Sequence, residues 1–424
     1  MDVGRESGRA VGVPLLVVAL VVAAALAVGG FVEAFRVPVA RHAIVVPPPA
    51  VSAAAVRAAA VERWIDAGLP ALTARRRQAW DRALPAHGAA ARRALDTLYG
   101  HLAPVPWRGL HVLVSAVDGQ AGVFDVKFAG RPGGAGPSDR VVAERLLVVA
   151  GTGTRLWVTG DRSPAAMRSE YFMAFRTPRA VVRDGAVVVS DASWRPLALE
   201  LAGDMPRARA DVAAMLGVSG DRPIVVFLYA TSAEVTGYLG QTHLVERERF
   251  FARLPTTTQA TLWSPTDVGV LASALPPADP WTAHMLAHEV THTLTWRWFY
   301  RTAHTPPLLL EGMATAVEGD RSYAPLRAEV AHGNRSMPLL ATFARTDLWA
   351  SGRMSRVTLA YLEGGALVKY VLAGWGQTAL RRFCVDVAQS ALTGPAIKQV
   401  VRHDLHESWS RFYAGWKAYV MTLP

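Results

Sequence analysis

His288, Glu289 and His292 stand in one unbroken run, His288-Glu289-Val290-Thr291-His292, and a glutamate follows in Leu308-Leu309-Leu310-Glu311-Gly312-Met313-Ala314. Residues four apart on an α-helix share a face, so the run puts two imidazoles side by side. Neutral imidazole and carboxylate are good zinc ligands, and three protein ligands leave a fourth position for water. Glu289, next to the first histidine but splayed to one side, stands where a general base for that water belongs. A fold that uses this pattern must pack two helices closely enough for Glu311 to reach both histidines. The chemistry expected is that of a zinc-dependent hydrolase, in the first place a peptidase.

The flanking residues suit that reading. Asp279 is a candidate N-cap, Pro280 can occupy the first helical position, and Met285, Leu286, Val290 and Leu294 give the motif helix an apolar body. Pro306 and Pro307 can open a second helix, and Gly312 and Ala314 are small enough to let it approach the first. His284 extends the histidine stripe, but His284 and His292 lie about 12 Å apart along a helix rising roughly 1.5 Å per residue, too far to share one ion. Pairing His284 with His288 would put Met285 in the place of the base, so His284 is expected to be a packed or outer residue. Glu318 is the rival third ligand; it lacks the Gly-x-Ala that follows Glu311 and reads as a solvated or supporting carboxylate.

These residues resemble the gluzincin metallopeptidases, the thermolysin and aminopeptidase-N-like clan, and especially its peptidase-MA-like members. The resemblance implies His288, His292 and Glu311 as Zn2+ ligands and Glu289 as the base that moves the water proton to the leaving amine. The segment Ala360-Tyr361-Leu362-Glu363-Gly364-Gly365 is similar to the family's Tyr-x-x-Gly helix, which makes Tyr361 the first candidate for oxyanion stabilisation and Tyr370 a weaker one. The family's aminopeptidases carry a glutamate-containing segment upstream that captures a free N-terminus. No glutamate lies between Arg249 and His288. Endopeptidase-type action is the better expectation, with the β-prone stretch Asp267–Leu275 as a sheet edge that binds an extended peptide.

The expected fold class is α+β. A gluzincin-type metallopeptidase domain over 166–424, with a mixed sheet, an active-site helix and a helical C-terminal lobe, follows a small α+β domain over 50–165. In that first domain, helical spacing runs from Ala50 to about Leu102, with breaks near Gly68-Leu69-Pro70 and His87-Gly88. Strand-like runs follow at Leu110–Val114, Val123–Phe128, Arg145–Val149 and Arg155–Val158. This order of elements is similar to the cone-shaped nuclear-transport-factor-2-like domains. Further on, Asp184-Gly185 reads as a hairpin turn, Arg207–Leu216 has helical spacing, Ile224–Tyr229 is a strand, and Ser232–Leu239 a short helix.

The N-terminus sets the expected location. Ala10–Val32 is a run of 23 residues without a charge, and a bilayer core of roughly 30 Å takes about 20. Residues 1–10 read as a cytoplasmic tail, 11–32 as a transmembrane helix or signal anchor, and 33–49 as a Pro-rich linker. A cleavable signal peptide is the rival, since Ala25-Leu26-Ala27 resembles a cleavage site. Either way the bulk of the chain is expected outside the cytoplasmic membrane. The net charge of +11 comes mostly from arginine, lysine occurring only at 127, 369, 398 and 417. Such a surface suits anionic headgroups. No nucleic-acid-binding signature accompanies it, so the expected partners are a peptide or protein substrate and the membrane. The lone Cys384 excludes an internal disulfide and a cysteine metal site. The alternative function class is a non-catalytic binding or assembly protein that keeps the peptidase-like fold.

Overall fold

The computed structural model describes residues 52–133, 140–153, 155–164, 175–221, 223–231, 234, 250–252, 267–275, 281–299, 306–319, 321–334, 339–343 and 354–424. The apolar run 10–32, the linker 33–49, Asp279, Pro280 and most of 232–239 lie outside them. No helix among the described residues is long and apolar enough to cross a membrane. Residues Ala53–Pro424 form one compact unit, and its class is α+β.

Four helices come first: α1 (Ala53–Asp66), α2 (Leu69–Thr73), α3 (Arg77–Ala83) and α4 (Ala89–Leu102). A four-stranded antiparallel meander follows in sequence order: β1 (Trp107–Ala116), β2 (Val123–Pro132), β3 (Arg140–Thr152) and β4 (Arg155–Asp161). Its register pairs Val114 with Val126 and Val126 with Arg145.

The second sheet has the order β5-β6-β7-β9-β8, from β5 (Pro178–Arg183), β6 (Ala186–Asp191), β7 (Ile224–Tyr229), β8 (Phe250–Ala252) and β9 (Asp267–Leu271). The β5–β6 hairpin turns at Asp184 and Gly185, both with positive φ (44° and 78°), the backbone of a two-residue turn that matches strand twist. Strands β6, β7 and β9 run parallel, and β8 adds an antiparallel edge. The stretch before the motif helix is therefore the strand its composition suggested, but an interior one and not the sheet edge expected to bind a peptide. It lies between β7 and β8, with Val268 and Val270 fully buried.

Every residue of β6 and β7 is buried, which explains why Ala186–Val189 and Ile224–Tyr229 read as apolar runs rather than alternating ones. Val188, Val226 and Leu228 face one core, with α5 (Arg195–Leu216), α6 (Trp281–Phe299) and α7 (Pro307–Glu318). Val187, Val189, Val225, Phe227 and Tyr229 face another, shared with α1–α4 and the first sheet. Each such side chain contributes about 1.5–3 kcal/mol on burial. Helix α5 starts 12 residues ahead of the Arg207 expected from spacing, because Pro196 opens it and the chain stays helical through Pro206.

The remaining helices are α8 (Ala324–Ala331), α9 (Leu339–Thr342), α10 (Met354–Gln389), α11 (Gly394–Asp404) and α12 (Trp409–Val420). Helix α10 is broken at Gly376, whose φ of 78° no interior helical residue adopts. Cys384 is buried on it, and burial raises its thiol pKa far above the usual value, leaving an inert apolar residue.

Candidate metal centre

Helix α6 carries the motif. Leu286, Val290 and Leu294 bury its apolar stripe in the core beneath the second sheet. His288, Glu289 and His292 are only 4–5% exposed, so water cannot satisfy them and the protein or a ligand must. The intervening threonines look after themselves: Thr291 and Thr295 donate to the carbonyls one turn back, Ala287 and Thr291, both at 2.8 Å.

Helix α7 brings the third group. Pro307 occupies its first position, and the Pro306 carbonyl accepts from the Leu309 and Leu310 N–H groups at 3.1 Å. One residue past Glu311, a methyl group on Gly312 would stand 2.6 Å from the Gly364 carbonyl of α10. The two helices therefore cross backbone to backbone, and only glycine permits it. That crossing fixes the height of Glu311 and, through Gly364, the helix that carries Tyr361.

One carboxylate oxygen, Glu311 Oε2, lies 3.3 Å from His288 Nε2 and 3.4 Å from His292 Nε2. The three ligand atoms all fall within 4.8 Å of one another. A tetrahedral ion with bonds of roughly 2.0–2.1 Å has ligand–ligand edges of about 3.3–3.4 Å, so both edges from Glu311 to the imidazoles have the length such an ion needs. The imidazoles meet edge to face, ring centroids 5.0 Å apart and planes at 84°. Behind them, Glu318 Oε2 lies 3.2 Å from His288 Nδ1 and 2.8 Å from Arg321 Nη2. A carboxylate on the far nitrogen sets the tautomer and directs Nε2 toward the ligand cluster.

The charges follow from this packing. Burial lowers the His288 pKa, but hydrogen bonds to Glu311 and Glu318 and the charge of Glu289 more than offset it and hold it up at about 10. Without metal, a proton on His288 thus takes the cation's place. Burial raises Glu311, yet His292 and His288 pull it far below the ordinary carboxylate range. Glu318 is lowered too, burial being outweighed by His288 and then Arg321. Glu289 goes the other way: burial raises it, against the pull of His288 and His292. Its Oε2 has no hydrogen-bond partner among the described residues, and neither has His292 Nδ1.

The other sequence candidates fall as follows. The His284 ring turns to the Glu318 backbone carbonyl at 2.6 Å, and with Asp204 and Asp211 it lines a cavity of about 300 Å³ on the α5 side. Glu318 stands beside the opposite nitrogen of His288 from Glu311, as a support and not as a third ligand. The half-buried Tyr361 has its ring 6.0 Å from that of His288, under the Arg321 guanidinium at 5.6 Å. Tyr370 packs elsewhere, with Trp375, Phe412 and Tyr419. Arg321, which ties Glu318 to the Tyr361 ring, went unmarked in the sequence; its one signal is the spacing of three from Glu318. A second group with metal-type atoms, Asp386, His403 and Asp404, already has its cation: the Arg382 Nε lies 3.3 Å from Asp404 Oδ1, and His403 Nδ1 lies 2.8 Å from the same oxygen.

No family profile matches the chain, and no curated protein matches it.

Proposed function

We propose that this chain is a gluzincin-type zinc peptidase, held at the cell membrane by its N-terminal apolar run with the catalytic unit extracytoplasmic, and acting as an endopeptidase. The observation that carries the reading is the shared Glu311 oxygen at 3.3 and 3.4 Å from the two histidine Nε2 atoms, with Glu289 adjacent and its Oε2 unpartnered. A zinc ion bound there supplies Lewis-acid polarisation of a water and of the scissile carbonyl. Glu289 takes the water proton on its carboxylate and passes it to the leaving amine. The upward push of burial on its pKa makes it a stronger base than an exposed glutamate. Glu318 and Arg321 hold the His288 ring in orientation, and the Tyr361 hydroxyl donates to the substrate oxygen that gains charge.

The edge strand β8 packs against α6 and pairs with β9 through Phe251 and Gly269. An antiparallel edge beside the motif helix suits an extended peptide bound through its main chain, a mode that needs no free terminus. The anchor rests on the uncharged run Ala10–Val32, and the substrate is a peptide or protein rather than nucleic acid.

The test pairs metal analysis of the purified full chain with cleavage of a broad peptide library by the wild type and Glu289→Gln. One zinc per chain in both proteins, with cleavage by the wild type alone, supports the reading. Zinc bound by a wild type that cleaves nothing would favour the non-catalytic alternative.

A further inference from the structure

A second buried carboxyl, outside the metal centre, lies on α10. Glu363 is 1% exposed, two residues after Tyr361 and immediately before Gly364. Its Oε1 accepts from Asn334 Nδ2 at 3.3 Å, and the Thr342 side chain also hydrogen-bonds to it. Asn334 is itself 2% exposed and sits in the left-handed region (φ 52°), where asparagine is tolerated better than most residues; its N–H donates to the Glu329 carbonyl at 2.8 Å. The Asn334 side chain is therefore committed to the interior. Two oxygens of this pair have no partner among the described residues: Glu363 Oε2 and Asn334 Oδ1. Both are acceptors if Glu363 is ionised, and a buried pair of unmet acceptors is costly.

We infer that Glu363 is a carboxylic acid in the folded protein and closes a two-point pair with Asn334, its Oε2–H donating to Oδ1 while Nδ2 donates to Oε1. The pair acts as a positioning latch, tying the turn after α8 to the helix that presents Tyr361 and Gly364. Its surroundings agree. Glu329 on α8 is the charged group that acts on Glu363, and it is negative. Thr342 on α9 and the Tyr413 hydroxyl of α12, 3.5 Å from Asn334 Nδ2, bring no cation to the pair. No ion pair among the described residues includes Glu363. Burial accordingly pushes its carboxyl up to about 8, the hydrogen bonds of Thr342 and Asn334 offsetting only part of that.

The sign of the effect is fixed by linkage. A carboxyl whose folded pKa is about 8 against the ordinary 4.5 of a glutamate binds its proton more tightly in the fold. Its contribution to stability is whole below 4.5 and is lost as pH rises through 8. Glu363→Gln keeps both hydrogen bonds without the proton. The folding equilibrium constant of the wild type should therefore fall relative to Glu363→Gln by about tenfold per pH unit across that window, then level off. Parallel curves for the two proteins would overturn the latch. Should Glu363→Gln not fold, carbon-13 glutamate labelling of Glu289→Gln decides: a carboxyl titrating near pH 8 supports the latch, and glutamates all ionised at pH 7 overturn it. The consequence for turnover rests on the peptidase reading. There, Glu363→Gln should hold its activity at alkaline pH where the wild type loses it, and an identical alkaline limb overturns the positioning role. The unfolding titration decides the latch even if no peptide is cut.

Discussion

Glu311 and Glu363 lie on helices that pack backbone to backbone, α7 and α10; Glu363 is cut off from bulk water, and Glu311 keeps only a fifth of its side chain exposed. Burial pushes both carboxyls toward the neutral form. Around Glu311 the neighbours are two imidazoles, and they reverse that push, so the group stays charged and forces a cation, proton or metal, into the hollow. Around Glu363 the neighbours are an amide, a hydroxyl and a carboxylate, Glu329, that adds to the push instead of reversing it. Depth therefore does not decide the charge of a buried acid. The partners placed against it do, and the same fold makes one hollow hungry for a cation and the other indifferent to it.

The strongest way to break this contrast is to remove an imidazole. His292→Ala should abolish stoichiometric zinc binding and cleavage together, whereas His284→Ala, whose ring serves a backbone carbonyl, should cost far less zinc affinity; equal losses by metal titration would refute the ligand set. Next in size, Glu289→Gln should keep its zinc and lose roughly 10²–10⁴ in turnover, since proton transfer is what the carboxylate adds. A variant that lost metal in step with activity would make Glu289 a structural group instead. Glu318→Gln should weaken zinc binding by about 10–100-fold while leaving the site assembled. In the wild type, the affinity should rise with pH toward about 10, because the ion must displace the His288 proton; a flat pH profile would mean that His288 is already neutral. Smallest, Gly312→Ala should cost about 1–3 kcal/mol in chemical denaturation by forcing α7 and α10 apart, with zinc affinity falling only as far as Glu311 shifts.

Most of the metal hollow could be read in advance because its information is local. His288 and His292 are one helical turn apart, and the small residues after Glu311 announce a close crossing. The latch could not be read that way, since Asn334 and Glu363 are 29 residues apart and belong to different elements. Its one visible trace is a charged residue inside the otherwise apolar run Ala360–Val368. Strand pairing was equally hidden: the composition of β9 is β-prone wherever it sits, and its neighbour β8 comes from residues upstream that carry no spacing signal. The start of α5 was hidden for a simpler reason: Pro206, of a residue type that usually breaks a helix, is an interior residue of this one.

The two-sided burial of β6 and β7 has a practical outcome for anyone handling the molecule. Cutting the chain back to the histidine-bearing half would uncover Val187, Val189, Val225, Phe227 and Tyr229 at one stroke. Such a fragment would present a greasy wall to the solvent and clump before it could be assayed. Helices α1–α4 and strands β1–β4 are in that sense a permanent roof over the sheet, and the histidine-bearing half keeps its solubility only beneath it.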